Sequence, residues 1–248
     1  MKIEIKTIKD GVVQITSLDE RWYGFQNEQG WEYVPSVTWI TGYYPKGKGY
    51  ERWLADKGLD QAEQVKIDAG DRGTIVHHAV EKLILEGSLK MDDVIKDREG
   101  VERQMTPDEY YCVVTFSQWY ESVGKPKALA VERTVRSKKY GYAGTLDYIF
   151  EIEGKNVLID LKTSKSVFPS HELQVSALKQ ASVEEGLKID SLGILQVGYV
   201  ANKTKHFKFT EIEDNLSLFM AIKQVWAKEN DGSHPPQKDY PLEITIKQ

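Results

Sequence analysis

The chain has 248 residues, 40% of them hydrophobic and 29% charged, with a formal net charge of -5. That length allows one large core, no apolar run approaches the roughly 20 residues of a membrane span, and Cys112 as the only cysteine excludes an internal disulfide, a four-cysteine zinc site and a four-cysteine iron–sulfur cluster. The acidic balance admits a nucleic-acid enzyme only if its basic groups gather locally.

The opening MKIEIKTIKDG alternates apolar and charged residues, so it reads as a strand rather than a signal peptide, and a cytoplasmic, intracellular location is expected. Residues 1–34 predict two or three antiparallel strands, with turns at Asp10-Gly11 and residues 27–30. In VPSVTWI (34–40), Pro35 ends a strand and Ser36 is a plausible helix N-cap. YYPKGKGY (43–50) is a loop that mixes lysines and tyrosines, and 51–58 is a short helix closed by Gly58. A longer helix covers about 60–86, with Gly70 and Gly73 predicting a bend or a break into two. Residues 88–105 are charged and irregular, with a helical turn in MDDVIKD. Thr106 and Pro107 start a helix that runs to about Ser122.

Beyond Gly124 the pattern changes to strands at 128–137, 140–153 and 155–164, an antiparallel meander with Gly154 in its second turn. A helix at 171–186, strands at 191–201 and 204–212, and a helix at about 214–229 complete the chain before a Pro-rich tail. No linker divides it. The reading is a single α+β domain: a strand-rich N-terminal elaboration (1–60), a core (61–230) and a tail (231–248).

The segment GTLDYIFEIEGKNVLIDLKTS (144–164) holds the informative residues. Strand alternation puts Asp160 and Lys162 on one face, with Leu161 turned away. A hairpin centred on Gly154 sets Asp147 roughly opposite Asp160 or Leu161. Two carboxylates that close repel unless a cation or proton intervenes, and a hard divalent ion suits oxygen ligands. Such an ion can polarise a phosphodiester and activate water, with Lys162 offsetting charge or handling the proton. A solvated sheet face with cross-strand ion pairs is the blander explanation of the same residues. Against it, Val157, Leu158, Ile159 and Leu161 make the strand look central, where charges need a purpose.

The run G-T-x-D, a dozen residues, D-x-K-T-S and then a helix carrying Gln resembles the RecB-like branch of the PD-(D/E)xK nuclease superfamily. Gly144, Thr145, Asp147, Asp160, Lys162, Thr163, Ser164 and Gln174 match; Leu146 stands where the superfamily's proline would be. AGDRGTIVHHAVE (69–81) resembles the upstream R-G-T-x-x-H motif of the same branch, which includes Arg72. Of its two histidines, His77 lies at the edge of the apolar face made by Val76, Ala79, Val80, Leu83 and Ile84, and His78 falls on the polar side. The resemblance implies a restriction-endonuclease-like core, a mixed central sheet flanked by helices. It implies Mg²⁺ or Mn²⁺ held by His77, Asp147, Asp160 and the Leu161 carbonyl, with Glu132 a further candidate ligand. It implies neither an iron–sulfur cluster nor a nucleotide cofactor.

Gln174, among Ala177, Leu178 and Ala181, needs a polar partner at the site or on the DNA backbone. Ser36 and Thr38 match an S-V-T motif of phage-type and mitochondrial genome maintenance exonuclease relatives and would meet phosphate. Arg72, Thr163, Ser164, Arg133, Arg136, Lys138 and Lys139 complete the expected DNA contacts. The expected activity is a DNA exonuclease on single strands or frayed ends in phage or bacterial replication, recombination or repair. Its partners would be DNA and a recombinase, helicase or single-strand-binding protein, with no membrane. An endonuclease on the same fold, a catalytically silent DNA-binding protein and an unrelated α+β binding protein are the alternatives.

Overall fold

The computed structural model describes residues 3–17, 20–198, 206–235, 238–240 and 244–246. The expected strand ends at 199–201 and 204–205 lie outside them. The protein is α+β, with a mixed central sheet flanked by helices and an antiparallel N-terminal sheet.

Strands β1 (Ile3–Lys9), β2 (Val12–Ser17), β3 (Glu20–Asn27) and β4 (Gly30–Pro35) pair in sequence order. Helix α1 (Val37–Thr41) follows directly, because the Ser36 hydroxyl accepts the Trp39 N–H and caps it. Helices α2 (Lys48–Lys57) and α3 (Leu59–Glu86) are next. α3 is continuous, where Gly70 and Gly73 predicted a bend. Two glycines cost about 1 kcal/mol each in a helix, and Ala62, Ile75, Val76, Ala79 and Val80, all fully buried, outweigh that by tertiary packing.

Strands β5 (Val94–Lys96) and β6 (Glu102–Gln104) form a small hairpin where a helical turn was expected. Ile95 is buried between exposed Val94 and Lys96, a two-residue period that suits a strand. Helix α4 (Pro107–Ser122) starts in a capping box between Thr106 and Glu109.

The central sheet comprises β7 (Lys127–Ser137), β8 (Tyr142–Ile152), β9 (Lys155–Lys162), β10 (Ser191–Gln196) and β11 (Lys208–Ile212). Helix α5 (Pro169–Glu184) connects β9 to β10, and α6 (Leu216–Glu229) follows β11. The strand order is β11-β10-β9-β8-β7, with β10 parallel to β9 and the other pairs antiparallel. The α5 crossover makes the parallel pair possible. One sheet face packs on α1, α5 and α6 through Leu146, Ile149, Leu158 and Ile194. The other packs on α3 and α4 through Tyr148, Phe150, Ile159 and Leu161.

Gly144 lets α5 approach the sheet: a Cβ there would meet Leu178 Cδ2 at 2.7 Å and Val37 Cγ2 at 3.2 Å. Its neighbour Thr145 ties the two sheets together. The Thr145 hydroxyl is 3.0 Å from that of Thr134 and 3.1 Å from the Tyr23 hydroxyl, which accepts from Gln14 at 2.8 Å. No described helix is long and apolar enough to cross a membrane.

Candidate metal centre in a fork between strands

β8 folds back on β9 through the Glu153-Gly154 turn, both residues having positive φ. The pairing runs from Ile152↔Lys155 to Tyr148↔Ile159 and stops. One residue further on, Asp147 replaces the missing ladder bond: its Oδ2 accepts the Leu161 N–H at 2.7 Å. The strands therefore part at Asp147, and a carboxylate sits in the fork.

The fork coincides with a change of face. Leu146 packs on the α5 side of the sheet and Tyr148 on the α3 side, although a regular strand would turn both the same way. β7 does the same between Val131 and Val135. The turnover falls at Glu132, whose φ of 43° is one that non-glycine residues seldom adopt. Strain of this kind costs about 1–3 kcal/mol and persists only where the surroundings enforce it.

His77, on α3, closes the group from the other side. Its Nδ1 is 3.1 Å from Glu132 Oε1 and 3.7 Å from Asp147 Oδ1, and its Nε2 is 3.1 Å from the Leu161 carbonyl oxygen. One ligand atom from each of His77, Glu132 and Asp147 lies within 4.8 Å of the others. Burial pulls the imidazole down, but Asp147 and Glu132 outweigh it and raise His77 to about 9. The imidazolium, which can donate from both nitrogens, is the form that satisfies two acceptors. Burial pushes the Asp147 carboxyl up, and Glu132 adds to this against His77 and Lys162.

Asp160 and Lys162 lie beside this group. Lys162 Nζ donates to Asp160 Oδ1 at 2.8 Å and is 2.7 Å from Oδ2, which has no aligned donor. Burial raises the Asp160 carboxyl, with Lys162 opposing. Burial works to lower Lys162, but Asp160 and Asp147 prevail and hold the ammonium form. Asp160 is not among the side chains that close within 4.8 Å.

The donor set fits a hard divalent cation. It offers two carboxylates, a backbone carbonyl and one imidazole, with an incompletely satisfied carboxylate oxygen nearby. In the absence of an ion, the protonated ring of His77 supplies the positive charge that the carboxylates need.

The other expected contacts divide. Arg72 donates to the Thr163 carbonyl at 3.0 Å and so pins the loop after β9 from inside, while its buried Nε has no partner among the described residues. Ser164 Oγ donates to the Ser166 carbonyl at 2.9 Å. Gln174 is half-buried on α5 and makes no side-chain hydrogen bond among the described residues. Ser36 is 1% exposed and its hydroxyl caps α1, so burial stands against the phosphate contact expected of it; Thr38 is exposed. Arg133 pairs with Glu185, and Arg136 pairs with Glu32 and lies over the Phe25 ring. With Lys138 and Lys139 they line an open cleft of about 680 Å³ whose other wall is Glu184 and Glu185.

Two residues escaped the sequence reading. His171, on the first turn of α5, interacts electrostatically with both Lys162 and Asp160; burial and then Lys162 lower it to about 4, so the ring is neutral. Its position three residues before Gln174, on the same helix face, was the available signal. Gln196, 2% exposed at the end of β10, donates to the Ser164 carbonyl at 2.9 Å; no local pattern marks it.

No family model and no curated protein matches the chain. Among solved structures, an alkaline exonuclease from Laribacter hongkongensis is similar at 9% identity and a TM-score of 0.41, over 77% of this chain and 82% of that one. A Eubacterium rectale protein provisionally described as an exonuclease is similar at 12% identity and a TM-score of 0.42, over 71% of this chain and 77% of that one. Both TM-scores are below 0.5, and any case for function rests on the side chains.

Proposed function

We propose that the chain is a metal-dependent nuclease of the RecB-like PD-(D/E)xK type that hydrolyses DNA phosphodiester bonds. Its reading as an exonuclease on single-stranded or frayed ends, in phage or bacterial replication, recombination or repair, belongs to the same proposal. The observation that carries it is the fork: three carboxylates, of Glu132, Asp147 and Asp160, gathered around one lysine and one histidine at the end of a buried strand pair. Such a concentration of buried negative charge is costly without a cation.

His77, Glu132, Asp147 and the Leu161 carbonyl would hold Mg²⁺ or Mn²⁺. When bound, the ion supplies a Lewis acid that draws charge from the phosphodiester and makes water a better nucleophile. His77 would serve as a ligand in its neutral form. Glu132 and Asp147, set on β7 and β8 beside the end of β9, would hold the ion there by their oxygens. Lys162, held as an ammonium by Asp160, offsets the negative charge that builds on the phosphate oxygens in the transition state. Thr163 follows β9 and its carbonyl is held by Arg72, Gln174 on α5 would add a polar contact, and Lys138 and Lys139, in the turn after β7, offer basic groups for phosphate contacts.

The test is a cleavage assay on end-labelled single- and double-stranded DNA with Mg²⁺ or Mn²⁺. Asp160→Ala and Lys162→Ala should abolish cutting while the circular dichroism spectrum is unchanged; two mutants that cut like wild type would sink the site. Linear DNA should be degraded and covalently closed circles spared. Equal cutting of both removes the exonuclease part and leaves an endonuclease.

A further inference from the structure

We infer that Phe168, braced by His171, is a stacking platform for the base next to the scissile phosphate, and that it restricts the site to unpaired DNA. The inference rests on the nuclease reading above and adds to it a residue that selects the strand state.

Phe168 is 53% exposed, and among the described aromatic side chains only Phe209 and Tyr240 are exposed with it. It stands six residues beyond Lys162, at the entrance to α5. It is not loosely held. Its N–H donates to His171 Nδ1 at 3.4 Å, and the two rings meet edge-on with centroids 5.4 Å apart at 82°. An edge-on contact leaves a broad face of the phenyl open to another planar group.

The connecting loop is fixed as well. Arg72 holds the Thr163 carbonyl, Gln196 holds the Ser164 carbonyl, and Ser164 bonds the Ser166 carbonyl. His171 in turn lies within the electrostatic reach of Lys162 and Asp160. The platform is thus rigidly attached to the pair that would stabilise the reacting phosphate.

A nucleobase is the planar partner that arrives with a phosphate at a fixed offset. Base–aromatic stacking tolerates any sequence because every base has a π-face. Inside a duplex both faces of a base are already covered, so only an unpaired or frayed base can use the ring. The other aromatic and basic cluster of the sequence is a poorer platform. There the Tyr50 ring is covered by Lys46 Nζ at 4.7 Å and approached by Lys66 Nζ at 5.8 Å.

The experiment uses the full chain and single-stranded oligonucleotides with 2-aminopurine at successive positions, bound in Ca²⁺, alongside cleavage kinetics in Mg²⁺. Wild type should quench the probe at one position beside the cut. Phe168→Ala should lose that quench and raise KM for single strands by roughly 5- to 100-fold, with a smaller effect on kcat. Phe168→Leu, which keeps apolar bulk without a ring, should behave like Phe168→Ala, and Phe168→Trp should retain the quench and the low KM. If wild type cuts and Phe168→Ala matches it in KM and quench, the platform is overturned and the nuclease stands. Wild type that neither binds nor cuts DNA overturns both.

Discussion

The fork between β8 and β9 and the basic run on β7 are both dense in charge, and they differ in what balances it. On β7, Arg133 meets Glu185, Arg136 meets Glu32, and Glu184 accepts from Ser137 Oγ and the Lys139 N–H. Those charges find partners within the fold. In the fork, burial raises both Asp147 and Asp160, and a histidine has to be protonated to meet the carboxylates. Charge that is exposed and paired asks for nothing further, while buried carboxylates that outnumber the cations beside them leave room for a ligand. A run of lysines and arginines is therefore a weaker functional signal than fewer, buried carboxylates.

The largest expected effect is on the fork itself. Asp147→Asn should reduce Mg²⁺-dependent cleavage by about 100-fold or more. A carboxylate whose folded pKa is raised destabilises the fold once it ionises above its unfolded value, so the amide should raise Tm in chelator. The rise in Tm that wild type shows on adding Mg²⁺ should vanish. A mutant less stable than wild type in chelator would mean that the pairing of Asp147 with His77 outweighs the cost of burying its charge.

A buried charge with a complete set of partners should behave in the opposite way. Glu109 is 3% exposed and receives Arg103 at 2.7 and 2.8 Å and the Thr106 N–H at 2.7 Å. Burial would raise its carboxyl, but these bonds outweigh it and hold it low. Its stabilisation is therefore complete above the ordinary value of 4.5 and is lost as pH falls through the lowered one. Glu109→Gln should cost about 2 kcal/mol at neutral pH, roughly 4–8 °C in Tm, and the gap from wild type should close in acid. A gap that does not narrow at all as pH is lowered below that ordinary value would mean that packing rather than charge is responsible.

The smallest effect is expected on β7. Arg133→Ala should change KM for DNA by less than about threefold, since an exposed pair contributes about 0–1 kcal/mol. A tenfold loss there would break the comparison and make Arg133 a DNA contact. Arg136→Ala should lower Tm instead, because Arg136 joins β7 to Glu32 and Phe25 of the N-terminal sheet.

Several features were readable along the chain because their physical cause is local. The Glu153-Gly154 turn set the hairpin register, and with it Asp147 at the end of β9, where it accepts the Leu161 N–H. Thr106, Pro107 and Glu109 announced α4. Helical periodicity preferred His77 to His78, and His78 instead lies 2.8 Å from the Lys96 carbonyl on the small hairpin. Gly70 and Gly73 misled because propensity is a small term beside the packing of α3. The strand at β5 was missed because its alternation spans only three residues, too short to stand out in the sequence.

By itself, then, the sequence determined the α+β class, the hairpin and the residue types at its end, since turn chemistry and periodicity act over a few neighbours. Only the tertiary structure decided which side chains gather at the hairpin's end. It moved Glu132 into the group with His77 and Asp147, and it gave Asp160 to Lys162. It brought His171 to that pair and committed Ser36 to a helix cap. The reason is that those relations depend on where β7 and β8 turn over and where β8 leaves β9. Packing on both faces of the sheet sets those points, and no short stretch of sequence contains it.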